Sequence, residues 1–421
     1  MFHCSELQKT SLTISERKED RSMVDSSLPP DISALLERID EIRPLIEKNA
    51  AQGEAERRVS QESIDALEAI GAFRVTQPAK YGGYEGDSRA QVDVGAAVGK
   101  GDGGTAWVVA LTNIANWLTA LYPEKAQDDV WGEDRNAKVS VVLATNGKTQ
   151  RVDGGYLVSG EWSYNSASWH TQWAILGAEL VDENGDFVDT AQLLIPRSDL
   201  GFKDIWHVAG MRSSGSNALS ATDVFVPDHR VMRGEPALRG TYPGTTEDTP
   251  AVYRAGWIPV LNIILVGPQL GMGRAVLERV ISKADSKAIA YTSFERQSDS
   301  IAFQLDIAKA ALLLEAAEGF AHRATDEIDI PAAQGVYPDY LTRARNRAYV
   351  GWIVEHTARA IEMLLTAHGS GAFAEVNPLQ RLWRDQAVAS RHAFVLPALG
   401  YELYGKALLG REDGDSVTPL V

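Results

Sequence analysis

The sequence predicts an α+β chain that is mainly helical: a helical domain, a central antiparallel β domain and a second helical domain, in that order. Apolar residues recur every three or four positions up to about residue 136 and again from about residue 257. Between them the pattern breaks into short β-rich runs separated by turn residues. Strands and helices never alternate along the chain, and no internal repeat is visible, which argues against a Rossmann or TIM architecture.

Residues 1–29 mix charges with Ser and Thr without periodicity and are expected to be a disordered extension, the part before Met23 lying upstream of a natural start there. The N-terminal helical domain spans 30–136. It opens with the stripe Ile32, Leu35, Leu36, Ile39, Ile42 and Leu45, followed by a helix that starts at Ser60 and stops at Gly71. Pro78 and Tyr81-Gly82-Gly83-Tyr84 mark a loop, and 91–121 reads as a buried helix pair. The β domain spans 137–245. Its strands include 139–143, 156–158, 173–176, 191–195 and 224–226, with Asn146-Gly147 and Asn184-Gly185 as hairpin turns. Residues 241–250 form a linker, 246–410 the C-terminal helical domain and 411–421 a tail. Val350, Ile353, Val354, Ile361, Leu364 and Leu365 share one face of a long helix.

Composition narrows the function. Lys and Arg number 41 against 57 Asp and Glu, a net charge of −16, so a nucleic-acid partner would require a concentrated basic face, and none is seen. The single cysteine, Cys4, rules out a disulfide framework or thiolate metal cluster. The eight histidines never stand four apart, which leaves no zinc pattern. The longest apolar run, 255–267, contains Pro259 and Asn262 and falls short of the roughly 20 residues of a membrane span. With no apolar signal region at the N-terminus, a soluble, cytoplasmic protein is expected.

Familiar motifs fail on context. Gly271-Met272-Gly273 lacks the third glycine and the βαβ unit of a dinucleotide fingerprint, so helix packing is preferred. Gly369-Ser370-Gly371 follows a helix rather than the strand of a nucleophile elbow. Five segments remain: Pro78-Ala79-Lys80-Tyr81-Gly82-Gly83 after Ala69-Ile70-Gly71-Ala72-Phe73-Arg74; Gly160-Glu161-Trp162-Ser163-Tyr164-Asn165-Ser166; Trp206-His207-Val208-Ala209-Gly210-Met211-Arg212-Ser213-Ser214-Gly215-Ser216; Arg296 with Phe303-Gln304; and His368-Gly369-Ser370-Gly371-Ala372-Phe373 leading to Arg384-Asp385 and His392.

In this order the segments resemble the acyl-CoA dehydrogenase fold across residues 31–410. The resemblance implies a C-terminal four-helix bundle, a homotetramer, and flavin between the β domain and the C-terminal helices. Many acyl-CoA dehydrogenases carry a catalytic glutamate in a Tyr-Glu-Gly-Thr stretch after the Arg-Asp pair. Here Ala389-Ser390-Arg391-His392-Ala393-Phe394 stands in that region, without a glutamate. The histidine and the Gly-Met-Arg-Ser-Ser-Gly-Ser stretch are similar to the oxygenase component of two-component flavin monooxygenases, of the p-hydroxyphenylacetate and secosteroid phenol hydroxylase type. That branch implies reduced FMN (or FAD) received from an NAD(P)H-dependent flavin reductase, and O2 used through a C4a-hydroperoxyflavin to hydroxylate an aromatic or related small molecule. An acyl-CoA dehydrogenase or oxidase, and a flavin-binding homologue without catalysis, are the competing readings.

By the same resemblance Ser166 stands beside flavin N5, and His392 is the substrate-side base or peroxide partner. A strand-end serine bonded to its own backbone and a satisfied helix histidine are the plain alternatives. Leu143, Ala144 and Thr145 contact the flavin ring through their backbone. Arg296 reaches the flavin phosphates, often across a subunit interface in this fold, with a surface arginine as the plain alternative; Gly369 and Gly371 permit a tight backbone approach to the cofactor, although a helix cap accounts for them nearly as well. Asn116-Trp117 matches a His-Trp pair of the hydroxylases. Asn116 can donate or accept a hydrogen bond but cannot act as a base; its expected catalytic part is to bind the substrate or the hydroperoxide, and Trp117, His170 and His392 are expected to contact substrate with it. Arg384-Asp385 reads as a structural ion pair.

Overall fold

The computed structural model describes residues 30–411 and 417–421; the predicted disordered extension, Cys4 included, lies outside the described residues. Helix α1 (Pro30–Glu56) buries Ile32, Leu35, Ile39 and Ile46, with Leu36, Ile42 and Leu45 at its half-buried flanks. Ser60 caps α2 (Gln61–Ala69) by accepting from the Ser63 N–H, and Gly71 takes the left-handed conformation that ends it. The predicted buried pair is α3 (Ser88–Gly99) and α4 (Gly103–Ala120), capped by Asp87 and Asp102. Helix α5 (Glu124–Trp131) completes the domain.

The β domain holds β1 (Val139–Val152), β2 (Gly155–Asn165), β3 (Trp173–Val181), β4 (Phe187–Pro196), β5 (Gly201–Lys203), β6 (Asn217–Pro227) and β7 (Val231–Arg233). They form one sheet in the order β5-β6-β2-β1-β3-β4-β7. The expected antiparallel sheet needs one amendment, because β1 and β3 run parallel. Asn184-Gly185 does turn the chain between β3 and β4. Asn146-Gly147 does not. Strand β1 continues through it and turns at Asp153-Gly154, where Gly154 has φ +73°.

The Asn-Gly signal marks something else. In the β1–β3 ladder Val142 faces Leu176 and Gly147 faces Ala178, so residues 143–146 bulge opposite Gly177 alone. A β-carbon on Gly147 would lie 2.7 Å from the Trp162 ring, and one on Gly177 would lie 2.3 Å from the Leu143 carbonyl oxygen. Both glycines permit a close approach.

Helix α6 (Gly234–Leu238) and an irregular 241–250 lead into α7 (Trp257–Ile263), α8 (Val266–Lys283), α9 (Ile301–Ala333), α10 (Tyr340–His368), α11 (Pro378–Ala389) and α12 (Pro397–Leu408). Helix α10 packs against α8, α9 and α12, and its predicted apolar face is buried. The run Trp257–Lys283 is long and apolar enough to cross a membrane, yet nearly all of it is buried inside the fold as core. Gly271 belongs to this packing, as preferred from sequence. A β-carbon there would meet the Ala96 carbonyl oxygen of α3 at 2.2 Å.

Candidate active site

The segment 204–216 is clamped from three sides. Met211 and Gly215 both take positive φ, and a β-carbon on Gly210 would lie 2.1 Å from the Arg384 carbonyl oxygen. The Met211 N–H donates to Asp385 Oδ1 at 2.5 Å, Ser213 Oγ donates to Asp102 Oδ2 at 3.4 Å, and Arg212 Nε donates to the Glu54 carbonyl at 3.0 Å. Arg384 pairs with Glu54 at 2.5 Å and donates to the Ala209 carbonyl. The expected Arg384-Asp385 ion pair is therefore not formed: neighbours on a helix point about 100° apart, and each reaches a different part of the fold. Burial, reinforced by the Asp102 charge, pushes Asp385 up to about 7.

This clamp aligns the end of β2. Tyr164 and Ala167 both adopt positive φ, a sparsely populated conformation for such residues. The Ala167 N–H donates to the Ser214 carbonyl at 3.0 Å, and Ser168 Oγ donates to the Gly215 carbonyl at 2.7 Å. Ser166, Ser216 and Ser214 link their buried hydroxyls in a row, 2.7 Å between each pair. Three hydroxyl protons serve two internal bonds, which leaves one proton for a further acceptor. Beside them Asn165 is fully buried, and neither its amide nitrogen nor its oxygen has a partner. Such orphans cost about 1–3 kcal/mol each unless a ligand satisfies them.

His392 follows α11. Its ring meets Trp107 of α4 edge-on at 5.7 Å, and its Nδ1 accepts from the Phe394 N–H at 3.3 Å. Burial, with the Arg347 guanidinium adding to it, pulls the imidazole down to about 4, so it is neutral at working pH. With Nδ1 accepting, the proton sits on Nε2. Ser213 touches Gly104, where a β-carbon would lie 2.0 Å from its hydroxyl, and Trp107 is three residues further on, about 4.5 Å along the axis. The turn that carries Ser213 and Ser214, at one end of the serine row, and His392 thus both meet the first two turns of α4.

The structure separates the other expected residues from this point. Asn116 is nine residues beyond Trp107, which is half a turn out of phase and about 13 Å along the helix. Its amide nitrogen donates to the Phe73 carbonyl at 2.8 Å, and its oxygen is buried without a partner. Trp117 is completely buried, with its indole N–H donating to the Val252 carbonyl. Both lie on buried parts of α4 away from Trp107, and the Asn116 oxygen is left for a further donor. His170 is directed toward the α2 start, near Val59, Lys138 and Arg58, where burial first and those cations second hold it down at about 4.

The glycines fall at a second location. Gly369, with φ +89°, ends α10, and Gly371 lines a groove of about 600 Å³ with Arg279, Lys283, Lys287, His368 and Asn377. Lys287 Nζ lies 2.9 Å from His368 Nδ1, and burial lowers both groups. Arg296, which is more than half exposed, forks onto Asp299 at 3.0 Å, and the next residue, Gln297, donates its N–H to the Lys287 carbonyl at 2.7 Å. Sequence reading missed the cations of α8 and the turn after it. Their spacing of four was visible, but solvated surface lysines look the same.

These residues suit a flavin. The 143–146 bulge has left the β1–β3 ladder, Asn165 has an unsatisfied donor and acceptor, and the groove concentrates cations suited to phosphate.

Comparison with known proteins agrees. The acyl-CoA dehydrogenase N-terminal domain matches residues 39–134, and the acyl-CoA dehydrogenase C-terminal domain matches 263–397. HsaA of Rhodococcus jostii, the oxygenase subunit of a flavin-dependent monooxygenase, is 32% identical over 379 residues, which is 89% of this chain and 98% of HsaA. The chain belongs to the oxygenase subunits of flavin-dependent monooxygenases. The oxygenase component of p-hydroxyphenylacetate 3-hydroxylase from Acinetobacter baumannii is 29% identical, with 91% of each chain covered. XiaF from Streptomyces, solved with FADH2 and glycerol, superimposes on this oxygenase with a TM-score of 0.86 at 34% identity, covering 92% of this chain and 97% of XiaF.

Asn116→Ala leaves the buried Phe73 carbonyl unpaired and is expected to lower stability by about 1–3 kcal/mol, read by urea unfolding. Turnover of the folded fraction stays within about twofold, because the residue faces away from His392; a large loss of turnover at unchanged stability would return Asn116 to the site.

Proposed function

We propose that this oxygenase hydroxylates a phenol-like aromatic molecule with O2 and reduced flavin supplied by a separate NAD(P)H-dependent reductase. The observation that supports the reading best is that a neutral imidazole, His392, and the turn at one end of the Ser166–Ser216–Ser214 row both pack on one end of α4. Abstraction of a proton from an acyl thioester calls for a carboxylate base, and the group at Trp107 is an imidazole instead. The name of the p-hydroxyphenylacetate hydroxylase and that of a resorcinol hydroxylase, 30% identical, both specify phenols.

When bound, reduced flavin supplies the electrons that activate dioxygen. Ser166, Asn165 and the backbone of Leu143, Ala144 and Thr145 would hold the flavin ring, Ser166 through its hydroxyl and Asn165 through its unsatisfied donor and acceptor. His392 presents its Nε2–H to an oxygen atom in the site as a donor, orienting substrate and stabilising negative charge on that oxygen. Trp107 and Phe394 keep water from the imidazole, which is why it remains neutral.

The cationic groove lies across α11 from His392, about 18 Å away for twelve residues. We assign it to the adenylate end of FAD rather than to the phosphate of FMN, within one chain or between copies. The assembly is proposed as a homotetramer. Ile301, Leu305 and Leu312 on α9 are 71, 53 and 63% exposed along one face, and a second copy of the chain covers them. A cytoplasmic location is consistent with these reactants.

Four measurements check the reading. His392→Ala is expected to lower product formed per O2 consumed by roughly 10²-fold, with peroxide release rising to match. Because His392 is protonated only as pH falls toward about 4, hydroxylation shows no acid limb near 6.5; a His392-dependent limb near 6.5 would contradict its burial. Lys287→Met should weaken FADH2 binding roughly tenfold and FMNH2 binding by less than about twofold, read by equilibrium titration; equal losses would move the mononucleotide phosphate into the groove. Leu312→Glu should dissociate the assembly in sedimentation velocity, and an unchanged sedimentation coefficient would place the interface elsewhere.

A further inference from the structure

Arg347 is the eighth residue of α10 and is almost completely buried, yet no carboxylate pairs with it among the described residues. Its partners are neutral oxygens. One guanidinium nitrogen donates to Asn262 Oδ1 at 2.9 Å and to the Leu420 carbonyl at 3.4 Å, and the other donates to the Ala393 carbonyl at 3.3 Å. The guanidinium carbon also sits 5.2 Å from the centre of the Phe394 ring. An uncompensated buried cation is a poor way to stabilise a fold. Two of these contacts, however, are with the residues directly after His392, and one of those residues, Phe394, provides the N–H that His392 Nδ1 accepts.

We propose that Arg347 is a positioning residue for the active-site histidine: by gripping the Ala393 carbonyl and the Phe394 ring it sets the Phe394 N–H against Nδ1 and so selects the Nε2–H tautomer of His392. The inference rests on the assignment of His392 to hydroxylation made above. The tail braces the same arginine. Leu420 supplies one of its acceptors, Arg343 donates to the Val421 carbonyl oxygen at 2.6 Å, and Val421 is buried against Ala344, Leu403 and Ala407. Among the described residues, the charged group that bears on His392 is Arg347 from α10; α4 presents Trp107, and its own turn presents Phe394. The guanidinium therefore acts on the imidazole twice, through the tautomer and through its charge.

Arg347→Gln removes both the charge and the fork, whereas Arg347→Lys keeps the charge alone. The test is nitrogen NMR of ring-labelled histidine in the flavin-loaded protein, with the His392 signals assigned from His392→Ala. The parent should show one tautomer, protonated at Nε2. Arg347→Gln should populate both tautomers and raise the titration of His392 from about 4 toward the ordinary 6.5 or so. Arg347→Lys should mix the tautomers while the titration stays low. Product per O2 should fall on the order of tenfold in both variants, with flavin affinity retained. Deleting 417–421 should shift the same signals in the same direction, more weakly. An unchanged tautomer and titration in the folded variants would overturn the proposal; if Arg347→Gln does not fold, Arg347→Lys decides it alone through the tautomer. The NMR readout does not depend on turnover. A chain whose tautomer responds but which hydroxylates nothing supports the role of Arg347 and removes only the assigned reaction.

Discussion

The hydrogen bond from the Met211 amide to the buried Asp385 carboxylate holds the three parts of the molecule in register. Asp385 belongs to α11 in the C-terminal domain, Met211 to the β domain, and Asp102, the carboxylate that burdens Asp385, caps α4 in the N-terminal domain. A hydrogen bond to a charged partner contributes about 1.5–3 kcal/mol, but its larger consequence is geometric. Burial and the Asp102 charge both disfavour the charged form of Asp385, and the Met211 N–H helps to keep its carboxyl satisfied. Once Met211 is placed, Ser213 meets Asp102, Ser214 and Gly215 receive the turn after β2, and the hydroxyl row ending at Ser166 follows.

Strain accompanies this arrangement. Positive φ occurs at Tyr164, Ala167 and Met211, none of them glycine, and all three border the serine row. Strained backbone persists where surrounding contacts over-determine it, and the contacts doing so here come from α1, α4 and α11. The site is thus a product of domain docking, and the β sheet alone could not hold its own turn in this form.

How much of this was legible in the sequence depended on the range of the interaction. The helix stripes, the Ser60 cap and the Asn184-Gly185 turn are local and were readable. The motif order, together with the missing glutamate and the histidine after Arg384-Asp385, pointed to the fold and the branch. Asn146-Gly147 misled because a turn dipeptide and a bulge use the same residue types, and only the packing of Trp162 and Ala178 on Gly147 distinguishes them. Asn116 and Trp117 were placed in the site by likeness to a dipeptide, whereas helical phase turns Asn116 to the face opposite Trp107. Arg347 gave no local signal at all, since an arginine in a helix is most often a solvated residue, and its partners lie 85, 46 and 73 positions away.

Everything functional in this account rests on transfer of one oxygen atom from O2. The most direct measurement mixes the protein carrying chemically reduced FAD with ¹⁸O2 and a panel of simple phenols, followed by mass spectrometry of the products. Incorporation of one ¹⁸O atom into a phenol, dependent on His392, is the predicted result. Unlabelled or absent product, together with anaerobic bleaching of the oxidised flavin by an acyl-CoA, would contradict it.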